Sequence, residues 1–287
     1  MPVEAWPDLL QVTPCRACQS TDRAEEAAIR GNTRAYAAET FLMFACAGCG
    51  ALNTAAQHGD AELYAAYPLH APPRGLTALA FALAHGKRAR RLKAAGVKPP
   101  ARVLDFGAGH GGFARRLRAM GYAAEAFEPA RDPMPTGAFQ AITCQDVIEH
   151  VENPGALLRT LSSLLDSRGV LLLGAPLADG IALTPAFAMH LHQPYHRCLL
   201  SEAALNRLAR EAGLKVARLE RRFAGTGPWP GLHPLLIERL AAATDGTLEA
   251  TLRPPLRALL RPRVVAAAVF GGVRPDGSNM SAVLKKV

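Results

Sequence analysis

One stretch restricts the possible folds of this chain more than any other: Ala101-Arg-Val-Leu-Asp-Phe-Gly-Ala-Gly-His-Gly-Gly-Phe113. Val103 and Leu104 read as a buried parallel strand, and Asp105 closes it. Gly107, Gly109 and Gly111 follow at alternate positions, and a helix starting near Gly112 turns Phe113, Leu117 and Met120 inward. Glycine permits positive φ and close approach of backbone to a ligand. A glycine-rich turn between a strand and a helix therefore predicts an open α/β sheet that takes its ligand at the strand tips. The spacing excludes the dinucleotide version, G-x-G-x-x-G, which seats a pyrophosphate on the helix N-terminus. Here the text is Asp-x-Gly-x-Gly-x-Gly. The carboxylate would repel a pyrophosphate but can hold an α-ammonium, directly or through water, so a zwitterionic or cationic ligand is expected.

The next strand, Ala123 to Phe127, ends in Glu128, an acid placed to accept hydrogen bonds from both hydroxyls of a ribose. Asp105 and Glu128 around one glycine loop are far more specific together than apart, and here the sequence resembles class I S-adenosylmethionine-dependent methyltransferases. Phe139-Gln-Ala-Ile-Thr-Cys-Gln-Asp-Val-Ile-Glu-His-Val-Glu-Asn-Pro154 is similar to the fourth strand and following loop of the ubiquinone-pathway type. A helix over Leu157 to Leu165, a fifth strand at Gly169-Val-Leu-Leu-Leu-Gly-Ala-Pro176 and a helix from Leu200 to Gly213 continue the likeness, with Ser201 as N-cap. Leu214 to Arg222 and Ser278 to Lys286 would be the last two strands, antiparallel in that family. The resemblance implies a Rossmann-like, mostly parallel sheet with flanking helices. It implies S-adenosylmethionine as cofactor, held by Asp105, Gly107, Ala108, Gly109, Gly111, Glu128 and Pro129, with Gln145 and Asp146 near the adenine. One departure stands out. Only ten residues separate Glu128 from Phe139, and Pro129, Pro133 and Pro135 are among them, so the family's third strand should be missing.

Methyl transfer from a sulfonium needs in-line alignment and, for a hydroxyl acceptor, loss of a proton. The candidates follow the fourth and fifth strands: Glu149 and His150, then His190, His192 and His196. His150, His196 and Glu149 are the expected catalytic group. Three roles stay open for it. A histidine can be a general base; Asp146, Glu149, His150 and His196 can hold Mg²⁺ or another divalent ion, as a similar acid–histidine pattern does in small-RNA 2′-O-methyltransferases; or the group caps a helix and shapes the loop. The resemblance, which extends to bacterial methyltransferases of glycan, sugar or lipid modification that carry an N-terminal zinc-ribbon segment, implies methylation, with O-methylation favoured, of a small-molecule, sugar/glycan or lipid-linked acceptor. The rivals are an RNA methyltransferase and a non-catalytic scaffold with a degenerate core. A net charge of +9 suits anionic partners, but the basic residues are spread over three segments without an aromatic platform, which argues against nucleic acid.

Four of the six cysteines form Cys15-Arg-Ala-Cys18 and Cys46-Ala-Gly-Cys49, two knuckles at zinc-ribbon spacing. The 27 residues between them allow a hairpin whose second strand, Thr40 to Ala45, leads into Cys46. Four thiolates leave no open position, so the ion would be structural Zn²⁺ and would supply much of the folding free energy of a segment with little core of its own. Cys144 reads as a buried small residue and Cys198 as an ordinary thiol. Residues 10–56 are thus a zinc-ribbon-like segment, 57–98 a helical linker, and 99–287 the main domain with a helical insertion at about 224–277. In the linker, Leu76, Leu79, Ala80, Leu83 and Ala84 predict an inward helix face. The Lys87, Arg88, Arg90, Arg91 and Lys93 cluster that follows could meet an anionic substrate, but reads first as a solvated face. In the insertion, Gly225 to Pro234 is turn-rich, whereas Leu235 to Ala243 and Leu248 to Val269 look helical, broken at Pro254-Pro255 and Pro262. Its Arg253, Arg257, Arg261 and Arg263 beside leucines and valines suit a substrate lid, a dimer contact or peripheral membrane contact. No apolar run reaches the ~18–20 residues of a membrane span. The first residues show neither a basic start nor an apolar signal core, so a cytoplasmic location is expected, with the oligomeric state open.

Overall fold

The computed structural model describes residues 13–55, 63, 75–129, 131–221, 234–270 and 277–287. Residues 10–12 of the expected zinc segment, most of 57–74 and the turn expected over 225–233 with Trp229 lie outside them. The elements in chain order are β1 (Arg23–Arg30), β2 (Thr40–Cys46), β3 (Leu52–Thr54), α1 (Gly75–Ala94), β4 (Arg102–Phe106), α2 (Gly112–Ala119), β5 (Ala123–Phe127) and β6 (Phe139–Gln145). There follow α3 (Pro154–Leu164), β7 (Leu165–Pro176), α4 (Ala188–Leu191), β8 (Cys198–Leu199), α5 (Glu202–Glu211) and β9 (Leu214–Glu220). The insertion supplies α6 (Pro234–Ala243), α7 (Leu248–Leu252), α8 (Leu256–Leu259) and α9 (Pro262–Phe270), and β10 (Asn279–Lys286) completes the fold.

Six strands form the main sheet in the order β5-β4-β6-β7-β10-β9. β5, β4, β6 and β7 are parallel, and β10 runs antiparallel to both β7 and β9. This is a mixed α/β, mostly parallel sheet of the Rossmann-like kind. Among the described residues only turns lie between Phe127 and Phe139, so β5 is the sheet edge. The cause is local: proline lacks the N–H a strand ladder needs, and ten residues cannot hold a strand and its crossovers. The sheet is buried on both faces. Leu104, Ile142, Leu171 and Leu173 pack to one side with α3 and α5, and Val103, Ala141, Val170 and Leu172 to the other with α1 and α2.

Local chemistry sets the helix ends. Asn153 accepts from the Ala156 N–H at 2.8 Å with Pro154 in the first turn of α3, and Ser201 Oγ accepts from the Ala204 N–H at 3.0 Å to start α5. The insertion breaks at Pro254-Pro255 and again at Pro262, as its sequence predicts.

Three expectations need correction. The linker helix exists, but Leu79 and Leu83 are exposed; Ala89 and Leu92, nearer its C-terminus, enter the core with Val103, Phe113 and Leu117. Among the described side chains the C-terminal half of α1 is the part that packs, so Leu79 and Leu83 do not mark a buried face. The basic cluster is not simply solvated either. Arg88 pairs with Asp146 and Arg91 with Glu220, each at 3.2 Å. The N-terminal segment also has more core than its sequence suggests. Its sheet, β1-β2-β3-β8, borrows β8 from the main domain, with Leu52 opposite Leu199 and Asn53 opposite Cys198. Leu42, Phe44, Cys46 and Ala51 join the same apolar cluster as Ile142, Leu173 and Leu205.

Candidate active site

The glycine turn joins the tip of β4 to α2. Gly107, Gly109 and Gly111 have φ of 75°, 51° and 73°, values that disfavour any side chain. A Cβ at Gly107 would also strike Val147 Cγ2 of the loop after β6. The turn's shape is held by hydrogen bonds from its own backbone. Gly107 and Ala108 N–H donate to Phe127 O at 2.8 and 3.0 Å, and Gly109 N–H donates to Glu128 Oε2 at 2.7 Å. Glu128 therefore props the loop with one of its two oxygens. Gly111 precedes α2 as its N-terminal flanking residue, and Pro129 is exposed beside Glu128.

Asp105 stands at the strand tip, but only 6% of its surface is exposed. Its Oδ1 accepts from Thr143 Oγ1 at 2.9 Å, and the Ala114 N–H also bonds to the carboxylate. Burial pushes its pKa up to about 6, against the pull of the Thr143 hydrogen bond and the charge of Arg88. Asp105 thus lies beneath the turn and ties β4 to β6 and α2.

Arg88 stands in the sequence as one member of a basic cluster, with nothing to set it apart from its neighbours. Its guanidinium bonds Asp146 Oδ2 at 3.2 Å, its charge stabilises ionised Asp105, and its Nε is buried without a hydrogen-bond partner. Asp146 holds a left-handed φ of 56°, a conformation that aspartate tolerates better than most residues. An acid–guanidinium–acid row beside the turn complements a zwitterion with one carboxylate and one ammonium. Only the rotational phase of α1 could have singled out Arg88 from its basic neighbours. Gln145 is turned away from the role expected of it. Its Nε2 donates to Cys144 O and Leu172 O at 3.1 and 2.9 Å, and the amide lies over Gly174 of β7.

Beyond β6, Glu149, His150 and His196 each bring one ligand atom within 4.8 Å of the others. Asp146, expected as a fourth member, is outside this group and faces Arg88. His150 Nδ1 lies 3.0 Å from Tyr195 O, and His196 Nδ1 2.7 Å from His190 O. A carbonyl can only accept, so both Nδ1 atoms carry the proton and each Nε2 presents its lone pair. His192 follows the same pattern through Asn32 Oδ1 at 2.8 Å, and its ring stacks on Tyr195. Burial lowers His150 to about 4 and His192 to about 3, and drives His196 well down, so all three are neutral at pH 7. Imidazoles so weakly basic are poor proton acceptors at that pH, which disfavours the general-base role. Glu149 is 1% exposed, with Oε2 unpartnered and Oε1 3.9 Å from His196 Nε2. Burial, then the charge of Asp146, pushes its pKa well up. Neutral nitrogen donors around an orphaned carboxylate fit a divalent cation.

The four N-terminal cysteines also converge. Cys15 Sγ is 3.6 Å from Cys49 Sγ and Cys18 Sγ 3.3 Å from Cys46 Sγ, with all four sulfurs within 4.8 Å of one another. Tetrahedral Zn–S bonds of about 2.3 Å place sulfurs ~3.8 Å apart, so this set fits a Zn²⁺ ion. Gly50, at φ 71°, closes the second knuckle, with its N–H on Cys46 O at 2.8 Å. Cys49 lowers the Cys15 pKa to about 5 through the shared sulfur contact. Cys144 and Cys198 are both buried and outside the four-sulfur set, although Cys198 of β8 sits opposite Asn53, whose Nδ2 bonds Cys15 Sγ at 3.4 Å.

Residues 80–219 match a family described as a methyltransferase domain, a segment that contains the glycine turn, Asp105, Glu128 and the histidine cluster. No curated protein matches the chain. Among solved structures it is similar to a protein provisionally described as a sarcosine dimethylglycine methyltransferase from Galdieria sulphuraria, at 20% identity over 70% of this chain and 84% of that one, with a TM-score of 0.46. It is also similar to the 1,6-didemethyltoxoflavin-N1-methyltransferase of Burkholderia thailandensis with bound S-adenosylhomocysteine, at 15% identity, 72% and 79% coverage and a TM-score of 0.43. A Mesorhizobium loti S-adenosylmethionine-dependent methyltransferase matches at 14% identity, 71% and 100% coverage and a TM-score of 0.42. Likenesses this remote bring no activity, substrate or partner to this chain.

Proposed function

We propose that this chain transfers a methyl group from S-adenosylmethionine to a small-molecule, sugar/glycan or lipid-linked acceptor, with oxygen as the favoured methylated atom. One observation supports this above the rest: a glycine turn whose backbone bonds directly to Glu128 lies between that acid and the Arg88–Asp146 pair. Glu128 would take the ribose hydroxyls. The charges of Asp105, Arg88 and Asp146 would take the aminoacyl end, and Gly107 to Gly111 the close approach between them. When bound, the sulfonium supplies an electrophilic methyl group. The chain's own contribution is alignment, because fixing acceptor and donor in line removes much of the entropic barrier.

On the acceptor side, Glu149, His150 and His196 would hold a divalent cation that orients acceptor oxygens, with His192 packed behind His196. The four cysteines would hold structural Zn²⁺. In this reading residues 10–56 are a zinc-binding segment, 57–98 a linker and 99–287 the methyltransferase domain, working in the cytoplasm. Among the described residues no helix is long and apolar enough to cross a membrane.

The test is calorimetric titration of the zinc-loaded full chain with S-adenosylhomocysteine. Wild type should bind one equivalent, and Glu128→Ala should weaken binding at least ~10-fold, as expected for a lost hydrogen bond to a charged group. No binding by the folded wild type would reject the methyltransferase reading. Equal binding by the variant would reject the assignment of Glu128.

A further inference from the structure

The insertion before β10 has an outer face unlike the rest of the surface. Nine large apolar side chains are exposed among the described residues, and five of them, Leu256, Leu259, Leu260, Val265 and Phe270, fall within fifteen residues of chain. Leu256 is 70% exposed, and Leu260 and Phe270 are each 67% exposed. They are not a core awaiting a better fit, since Ala258, Val264 and Ala267 already supply the inward contacts of α8 and α9. Arg253, Arg257, Arg261 and Arg263 are exposed among them, and none is in an ion pair with a described residue. From Ala250 to Pro275 the sequence contains no acid at all.

We propose that this face docks on an anionic lipid surface. Apolar side chains can enter the headgroup–acyl boundary while arginines on either side reach phosphates, their stems lying along the same apolar layer. A second copy of the chain is a poor occupant, because it would bring the same unneutralised arginines against these. Nucleic acid would use the cations but gain nothing from exposed leucines. The face is tied to the site. α9 packs on α6, whose Glu238 lies 3.3 Å from His190 Nδ1, and the Leu248 N–H donates to Asn32 O at 2.7 Å. Asn32 in turn holds His192, and His190 O holds His196. Docking would therefore fix the histidine loop relative to the bilayer. Among the acceptors proposed above this selects a lipid-linked one, a step that rests on the methyltransferase reading, whereas lipid binding itself does not.

Co-sedimentation of the zinc-loaded full chain with phosphatidylcholine vesicles, with and without about a third of phosphatidylglycerol, tests the proposal. Wild type should pellet with the anionic vesicles and not the neutral ones, and raising salt from about 0.1 to about 0.5 M should release most of it. Leu256→Asp with Leu260→Asp, and separately Arg257→Glu with Arg261→Glu, should each cut binding at least ~10-fold. All these side chains are exposed, so the melting temperature and S-adenosylhomocysteine affinity should be unchanged. Failure of wild type to pellet, or equal partitioning onto neutral vesicles, overturns the proposal. So does a dimer in light scattering that Leu256→Asp dissociates. Loss of S-adenosylhomocysteine binding with lipid binding intact would instead overturn the methyltransferase reading alone.

Discussion

Asp105→Asn should make the protein more stable and less able to bind its cofactor. Burial moves Asp105 from its ordinary 3.8 to about 6. An acid with a raised folded pKa binds more protons folded than unfolded between those values, so stability falls as pH rises through about 4 to 6 and the cost is complete above that window. A difference of about 2 on the pH scale corresponds to ~3 kcal/mol. Asparagine keeps an oxygen for Thr143 Oγ1 but cannot also accept at its amide nitrogen, so one hydrogen bond, worth ~1 kcal/mol, is at stake at Ala114. The net gain at pH 7.5 should be about 2 kcal/mol, or ~4 °C in melting temperature for a chain of this size. It should vanish near pH 4, where wild-type Asp105 is protonated. Loss of the negative charge should weaken S-adenosylhomocysteine binding by ~10- to 100-fold. Differential scanning fluorimetry from pH 4 to pH 8, paired with calorimetry, reads both. A variant less stable than wild type at pH 7.5, or one with undiminished affinity, would refute the argument that this carboxylate is held at a cost for the sake of its ligand.

Other consequences can be measured in the same way. Chelator titration should release one zinc per chain from wild type and almost none from Cys46→Ser. Because Cys46 and Phe44 share a core with β6 and β7, the variant's melting transition should fall as a whole, not split into a lost N-terminal segment and an intact domain. Gly107→Ala should destabilise by ~2–4 kcal/mol through positive φ and the collision with Val147; adding Val147→Ala should recover the collision alone, leaving ~1 kcal/mol. Zinc-loaded protein should take up one further Co²⁺, and Glu149→Gln should weaken that uptake at least ~100-fold, since the orphaned Oε2 is lost as a charged ligand. A wild type indifferent to Co²⁺ would return the histidines to a packing role.

Features set by neighbours in sequence were legible before any coordinates. Asp105 and the alternate glycines, the prolines that leave no room for a third strand, Ser201 at a helix start, and the proline breaks of the insertion all act within a few residues of themselves, so pattern and spacing suffice to read them. Other features depended on which distant segments meet. Arg88 is one cation among five in sequence, and only the seating of α1 on the sheet brings it to Asp146, fifty-eight residues on. Gln145 and Asp146 are adjacent in the chain, yet one turns over Gly174 and the other toward Arg88, because a left-handed φ at Asp146 ends the strand between them. The exposure of Leu79 and Leu83 and the β3–β8 pairing were equally out of reach. Helical periodicity states that a face is apolar without stating what covers it, and strand propensity does not name the partner strand. The sequence by itself determined the α/β class, the shape of the ligand turn and the four-cysteine set. Tertiary structure decided which charges surround that turn and which histidines converge on Glu149, because electrostatics and ligation depend on distance in space, and separation along the chain does not report it.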